Sequence, residues 1–478
     1  MTAAENVHAL PTISQQMEAT LYSQKTAYQA ATTPSLQERR AHLSALKTSI
    51  KKHRKALCLA LNEDFGQRSE QDTLLADIVP CITNINYSLR HLKHWMKPSR
   101  RHAGVMLTPA NVSVIYQPLG VVGIVVPWNF PVMLSLGPLI TALAAGNRAM
   151  IKLSEFTPAT NQILRTLLTD IFPPEQVAVF EGEADAAAYF SSLAFDHLLF
   201  TGSTAVGHHV MRAAADNLTP VTLELGGKSP VIIAPDMPMA LAVERMLFGK
   251  CMNAGQICVA PDYVLVPNGQ EHDFIETFKQ QFNRHYPGGI ANKDFASVIN
   301  TRQYTRLCRW LAEAEEKGAK IHPCHDNARN DAQHRLIPHL LTEIPADATI
   351  MHEEIFGPLL PVIGYDTLDE AIAYIQQRPR PLALYLMSLD PLIQAKVKHA
   401  THSGGMGINE TVLHVAADDA PFGGIGPSGM GHYHGKEGFL ALSKAKTVLT
   451  RGKFTTTRLM APPYGRWWQT LMLAFFMR

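Results

Sequence analysis

Alternation of short apolar runs with amphipathic segments predicts an α/β fold. The expected form is a doubly wound, Rossmann-type parallel sheet followed by a second α/β region. Three observations carry this prediction. Strand-like and helix-like segments alternate from Asn111 to Pro235. The strand-like runs are apolar throughout, as in parallel sheets covered on both faces. The chain has 478 residues, 46% hydrophobic and 18% charged, enough for two or three domains with large cores.

The elements follow in order. Leu36–Leu61 has apolar residues at helical spacing with charges on the opposite face, and Gln71–Met96 reads as a second helical region. "NVSVIYQP" (Asn111–Pro118) alternates like an exposed or bridging strand. "GVVGIVV" (Gly120–Val126) is a buried strand, followed by a polar turn and a buried helix near Val132–Ala145. "RAMIKLS" and "QVAVFEG" are strands, each followed by a helix, over Pro158–Phe172 and Ala184–Ser192. "HLLFTGS" runs into a glycine turn and a helix over Val206–Ala215, and "PVTLELGGKSPVIIAP" reads strand, turn, strand. The second α/β region spans about Asp236 to His414, with amphipathic helices beginning at Glu271 and Thr301.

Composition excludes several classes. A net charge of +2 without a long Lys/Arg run speaks against nucleic-acid binding. Six cysteines in a chain this long make no disulfide framework. "MTAAENVHALPTISQQ" lacks the basic and apolar regions of a signal peptide, so a reducing cytoplasm is expected. No Asp, Glu, Lys or Arg occurs from Ala103 to Asn147, yet Pro127, Pro131 and Pro138 interrupt that stretch as a membrane span. The terminal "YGRWWQTLMLAFFMR" is too short to cross a bilayer. Packing on a partner subunit or over a substrate mouth is its favoured reading, and peripheral membrane contact the alternative.

Several motifs carry possible chemistry. "GIGPSG" (Gly424–Gly429) matches a dinucleotide fingerprint, but no strand precedes it and Pro427 lies inside it, so it reads as a decoy. "FTGSTAVG" (Phe200–Gly207) has the right strand–turn–helix context. Free N–H groups there suit a phosphate, and a capped turn without a ligand fits the letters equally well. Lys152 and Glu155 in "IKLSE" end another strand, where ribose contacts or a surface ion pair are both open. Glu224 in "LELGGKS" is either a buried general base or a solvent-facing strand residue. "KCMNAGQICVAP" holds Cys251 and Cys258 with no further zinc ligands nearby. Each is either a nucleophile or a buried inert thiol. His432 and His434 lack a third ligand and read as structural, so no metal is expected.

Taken together, "PWNFP", "FTGSTAVG", "LELGGKSP", "GQICVAP", "EEIFGP" and "PFGGIGPSGMG" resemble, in content and order, the aldehyde dehydrogenase superfamily. "LKHWMKPSR", "GMGHYHGKEGF" and "PPYG" resemble its class 3-like subgroup, nearest the bacterial coniferyl aldehyde dehydrogenase type. Leu153 departs from the proline usual after the lysine. The resemblance implies that Cys258 attacks the aldehyde, with the Asn129 amide and the Cys258 N–H as oxyanion donors. It implies that Glu224 activates the hydrolytic water. Lys152 and Glu155 would hold the adenosine ribose, Gly202 and Ser203 would face the pyrophosphate, and Glu354 and Phe356 would hold the nicotinamide end. Pro127, Trp128, Ser154, Gly207 and Leu225 join the expected cofactor site. NAD is the expected cofactor, with NADP possible, because Glu155 repels a 2′-phosphate.

The implied product is a carboxylic acid from a coniferyl-type, other aromatic, or medium-to-long aliphatic aldehyde, made through a cysteine thioester by a homodimer. The alternatives are acyl transfer to coenzyme A or phosphate, and a membrane-surface protein on the same fold. The implied organisation has a dinucleotide-binding domain over 1–103 and 119–225 and a catalytic domain over 226–439. Bridging strands lie in 104–118 and 440–455, and a tail occupies 456–478.

Overall fold

The computed structural model describes residues 11–477. The first ten residues of the segment read as lacking a signal sequence therefore lie outside the described residues. Three sheets organise the rest. The first has six strands in the order Gly429–Met430, Val221–Glu224, His197–Thr201, Val121–Val125, Arg148–Lys152, Val177–Phe180. All neighbours are parallel except the first pair. Val121–Val125, His197–Thr201 and Val177–Phe180 are buried at every position, which explains their unbroken apolar runs.

The strand order reverses between Val121–Val125 and its neighbour His197–Thr201. A crevice at the carboxyl ends of such a pair is where open α/β sheets take ligands. The loop holding Asn129 leaves one of these ends, and the turn at Gly202 leaves the other.

The second sheet has seven strands, Lys320–Pro323, His339–Thr342, Leu359–Tyr365, Tyr263–Pro267, Pro230–Ile233, Ala383–Met387 and Gly405–Ile408, in that order. The third sheet is small. Asn111–Pro118 sits between Ser99–Arg101 and Ser443–Thr450, antiparallel to both.

Local sequence accounts for the helices nearest the site. Ser35 and Glu38 form a capping box that starts Leu36–Phe65, and Gly66 ends it in the left-handed region. Pro131 occupies the first turn of Pro131–Ala145, where its missing N–H costs nothing. This helix lies almost wholly buried, so the charge-free stretch is core. No helix among the described residues is long and apolar enough to cross a membrane.

Some elements differ from expectation. The expected Gln71–Met96 helix is broken by a π-turn over Leu74–Ile78. That turn widens the backbone where Asp77 points inward to bond another helix. A further helix, Ile13–Ala30, precedes the first expected one. Its low amphipathicity hid it, because it buries little beyond Met17, Leu21 and Gln24.

Candidate active site

Cys258 lies between the helix Met239–Cys251 and the strand Tyr263–Pro267. The chain reaches it through three successive left-handed residues, Asn253, Ala254 and Gly255, with φ of 50°, 52° and 72°. Gly255 is required there, since a Cβ would come within 2.6 Å of the Gly357 carbonyl oxygen. Gln256 locks the loop. Its side-chain amide donates to the carbonyls of Asn253 (2.9 Å) and Ser297 (3.0 Å) and accepts from Ile299 N–H (3.0 Å). Beyond the cysteine, the Tyr385 hydroxyl donates to Val259 O at 2.6 Å and buried Lys250 donates to Pro261 O at 2.8 Å.

The thiol is half-buried. Burial raises its pKa above the ordinary thiol range, followed by the negative charges of Glu354 and Glu224, while the N–H groups of Cys258 and Val259 act in the opposite direction. With its pKa held up in this way, the thiol needs a base to take its proton as it reacts. Cys251 is buried outright, and burial is the largest cause of its strongly raised pKa.

Glu224 ends its strand opposite Thr201 on one side and Gly429 on the other. It is 3% exposed, and neither carboxylate oxygen has a hydrogen-bond partner. The solvent-facing alternative is thereby overturned, because the antiparallel Gly429–Met430 strand covers the sheet edge. Burial alone raises its pKa well above the usual carboxylate range.

Asn129 is also buried. Its side-chain amide donates to the Gln256 carbonyl at 3.1 Å, two residues before Cys258. An amide nitrogen has two N–H groups, so this contact orients the side chain and leaves one donor. The Asn129 backbone carbonyl accepts from Arg68 (3.0 Å) and from Asn253 (3.1 Å).

Residues expected to hold a dinucleotide ring the same crevice. Ser203 caps the helix Thr204–Ala215 through Val206 N–H. Gly202 N–H donates to Glu224 O at 3.0 Å, so Gly202 supplies space and not a free donor. Gly207 faces Leu225: a Cβ there would meet Leu225 Cδ2 at 2.8 Å. Both residues therefore set helix–sheet packing. Lys152 is buried and donates to Leu153 O (2.7 Å) and Gly182 O (2.6 Å), leaving the third ammonium proton for a hydroxyl. Glu155 beside it is exposed. Ser154 is buried, and its hydroxyl accepts from Phe156 N–H.

Trp128, preceded by half-buried Pro127, meets Phe356 edge to face at 5.3 Å between centroids. Glu354 lies against Gly226, where a Cβ would overlap its carboxylate at 2.1 Å. Its pKa is pushed up to about 8, by burial first and then by Asp262, against the pull of Gly227 N–H, Lys228 and Arg306. Lys228 bonds Asp262, Ile350 O and Glu353 O, and Asp262 accepts from Ile355 N–H, so the segment carrying Glu354 is pinned on both sides. The crevice thus offers a helix N-terminus, one ammonium proton, carboxylates for ribose hydroxyls and an aromatic pair. Those features fit an elongated dinucleotide.

Sequence reading missed the supports: Arg68, Asp77, Gln256, Tyr385 and Tyr433. Buried Tyr433 is near enough that Glu224 and Cys258 both raise its pKa, after burial itself. Gln256 had a signal, lying inside "GQICVAP", and so did Tyr433, inside "GMGHYHGKEGF". The decoy "GIGPSG" serves structure, since Thr204 donates to Pro427 O and Leu225 N–H to Ser428 O. His434 is buried between Phe422 and Tyr433. Among the described residues no three His, Cys, Asp or Glu side chains form a metal-binding group.

Comparison with known proteins agrees with this geometry. Residues 7–448 match the model of the aldehyde dehydrogenase family. A Pseudomonas aeruginosa protein named "Probable coniferyl aldehyde dehydrogenase" is 53% identical over 463 residues, covering 97% of each chain. The structure titled a substrate-bound state of Staphylococcus aureus AldH superposes with a TM-score of 0.91 at 36% identity, covering 96% of this chain and 99% of that one. A Mycobacterium tuberculosis aldehyde dehydrogenase complexed with NAD+ superposes with a TM-score of 0.83 at 28% identity, covering 92% and 91%. The chain belongs to the aldehyde dehydrogenase family.

Proposed function

We propose that this enzyme oxidises an aromatic aldehyde of the coniferyl type to its carboxylic acid, using NAD and a thioester on Cys258. The single observation that carries the reading is the unpartnered, buried Glu224 carboxyl set near the half-buried Cys258 thiol. Evolution of a hydrolytic step needs a base distinct from the nucleophile, and Glu224 is such a group.

The thiol adds to the carbonyl carbon, and its proton passes by way of Glu224 to solvent water, leaving Glu224 a carboxylate again. The oxygen gains negative charge, which the second Asn129 N–H and the Cys258 N–H stabilise. Bound NAD would supply the acceptor for the hydride of this tetrahedral adduct. Glu224 then takes a proton from water as the water attacks the thioester, restoring the thiol and releasing the acid. Lys152, Glu155 and Glu354 would hold the ribose hydroxyls, with Trp128 and Phe356 bordering the nicotinamide. The carboxylate of Glu155 favours NAD over NADP through repulsion of a 2′-phosphate.

Two findings support the substrate class. The named activity of the Pseudomonas aeruginosa relative concerns coniferyl aldehyde. Met133, Leu134, Val415 and Phe422, like Cys258, also pack against one apolar core cluster. A homodimer built on the small three-stranded sheet completes the reading.

A steady-state panel of aromatic and aliphatic aldehydes with NAD and with NADP tests this proposal. Coniferyl aldehyde with NAD should give the highest kcat/KM and yield free acid without added acceptor. Acid formation only on adding coenzyme A or phosphate would replace the hydrolytic reading with acyl transfer.

A further inference from the structure

The turn that follows the edge strand Gly405–Ile408 is strained. Val412 has φ 66° and ψ −43°, and Leu413 N–H donates to Thr411 O at 2.7 Å. This is a γ-turn of the rarer hand, a conformation that β-branched residues hardly ever adopt. It persists only where the surrounding structure holds it, and strain of this kind gathers at functional sites. Val412 is buried, so the hold comes from the protein itself.

Two bonds supply it. Thr411 Oγ1 donates to Arg245 O at 2.8 Å, and Val412 N–H donates to the Tyr385 hydroxyl at 3.1 Å. That hydroxyl in turn donates to Val259 O at 2.6 Å. Tyr385 is fully buried in the middle of the strand Ala383–Met387. The edge strand makes room for its ring, since a Cβ at Gly407 would meet Tyr385 Cδ1 at 2.9 Å. His414, two residues beyond Val412, packs edge to face on that ring at 5.8 Å.

The far end of this chain of bonds is the next residue after the reactive cysteine. Val259 follows Cys258, and its N–H is one of two backbone donors that favour the thiolate against burial and the nearby carboxylates. Val259 is thus gripped at its carbonyl by Tyr385 while its N–H serves the sulfur. A hydroxyl that accepts a bond donates its own more strongly, so the Val412 bond tightens the grip on Val259. Tyr365 offers the contrast. Its buried hydroxyl donates to Ile233 O at 2.7 Å, within the same sheet.

We propose that Tyr385 is a positioning residue for Cys258: its hydroxyl ties the strained Val412 turn to Val259 and so holds the Val259 N–H in place beside the sulfur. The proposal rests on the reading of Cys258 as the nucleophile. The plainer role for such a hydroxyl is to satisfy two buried backbone groups and stiffen the loop. The two roles have opposite consequences for the thiol. Losing a mere stiffener frees the sulfur to react faster, whereas losing the tie removes a donor that favours the thiolate and slows it.

Iodoacetamide labelling of the full chain at fixed pH, with peptide mapping, tests this alongside steady-state kinetics. Tyr385→Phe keeps the ring, and its NAD affinity should match wild type. It should slow alkylation of Cys258 and lower kcat, each about threefold to tenfold, the range spanned by one lost hydrogen bond. Tyr365→Phe removes an equally buried hydroxyl and should lower Tm by a similar amount with neither rate altered. Val412→Gly leaves Tyr385 intact but relaxes the turn, and should slow alkylation in the same direction by a smaller factor. Unchanged or faster alkylation of Tyr385→Phe would overturn the proposal, as would equal slowing by Tyr365→Phe. Should Tyr385→Phe fail to fold, wild-type alkylation of Val412→Gly would count decisively against the tie. Loss of activity on labelling a cysteine other than Cys258 would refute the nucleophile reading, and this inference with it.

Discussion

Arg68 and Asp77 form an ion pair at 2.7 Å with both side chains fully buried, and the two ends of the pair hold opposite sides of the Asn129 loop. Arg68 donates to Asn129 O at 3.0 Å. Asp77 accepts from Val132 N–H (3.1 Å) and Met133 N–H (2.9 Å), capping the helix that follows. Breaking such a pair leaves a buried charge alone. Asp77→Ala should lower stability by about 3–5 kcal/mol in urea unfolding. In the folded fraction it should reduce kcat more than it changes NAD affinity, because the displaced group is the proposed oxyanion donor.

The two cysteines of "KCMNAGQICVAP" should behave differently. Cys258→Ala should abolish aldehyde oxidation, and Cys251→Ala should leave most of it. Equal losses measured by NADH formation would overturn the assignment of Cys258.

Removing the Asn129 donor tests the oxyanion role. Asn129→Ala should reduce kcat by about 10²–10³-fold, the usual effect of one such donor. A change confined to KM would instead make Asn129 a substrate-binding residue.

Glu224 has a raised pKa from burial, so its basic form gains as pH rises. The wild-type kcat should increase with pH over the neutral-to-alkaline range. Glu224→Gln should flatten that profile and accumulate acyl-enzyme, seen as one equivalent of NADH per site followed by near arrest.

Glu354 has its pKa raised to about 8, against an unfolded value near 4.5. The native state therefore holds the extra proton between these values, and this residue's contribution to stability falls as pH rises from 4.5 through 8. Glu354→Gln should then be more stable relative to wild type at pH 8 than at pH 5, measured as a difference in Tm. An unchanged difference would mean that Lys228 and Arg306 neutralise the carboxylate.

His197 and His434 are buried, and burial lowers each pKa to about 4. Both must gain a proton on unfolding below the ordinary histidine pKa of 6.5. At pH 5.5 each should cost about 1 kcal/mol of stability relative to pH 7.5. His197→Gln should reduce the pH dependence of urea unfolding over this range.

Sequence was most legible where one period dominates. The apolar strands from Val121 to Ile233 and the helices after Pro158, Glu271 and Thr301 lie within a few residues of expectation. Asn111–Pro118 coincides at both ends, although its six middle residues are evenly half-buried. The candidates Cys258, Asn129 and Glu224 were legible through the motifs "GQICVAP", "PWNFP" and "LELGGKSP" that carry the resemblance. Their supports were not. Asp77 and Arg68 meet Asn129 across more than fifty residues of chain, and no local pattern records a contact of that kind. The approach of Glu354 and Glu224 to Cys258 was also hidden, because the three lie on segments far apart in the chain.

One pairing in the first sheet bears on how the chain is made. Gly429–Met430 covers the Val221–Glu224 edge, and Ser443–Thr450 completes the sheet begun by Asn111–Pro118. During synthesis the reactive strand must wait for some two hundred further residues before its edge is covered. Until the last tenth of the polypeptide leaves the ribosome, Glu224 borders an open strand edge, a surface prone to wrong pairing. Stalled or truncated chains ending before Gly429 would thus be inactive and aggregation-prone together, which ties the onset of reactivity to completion of the chain.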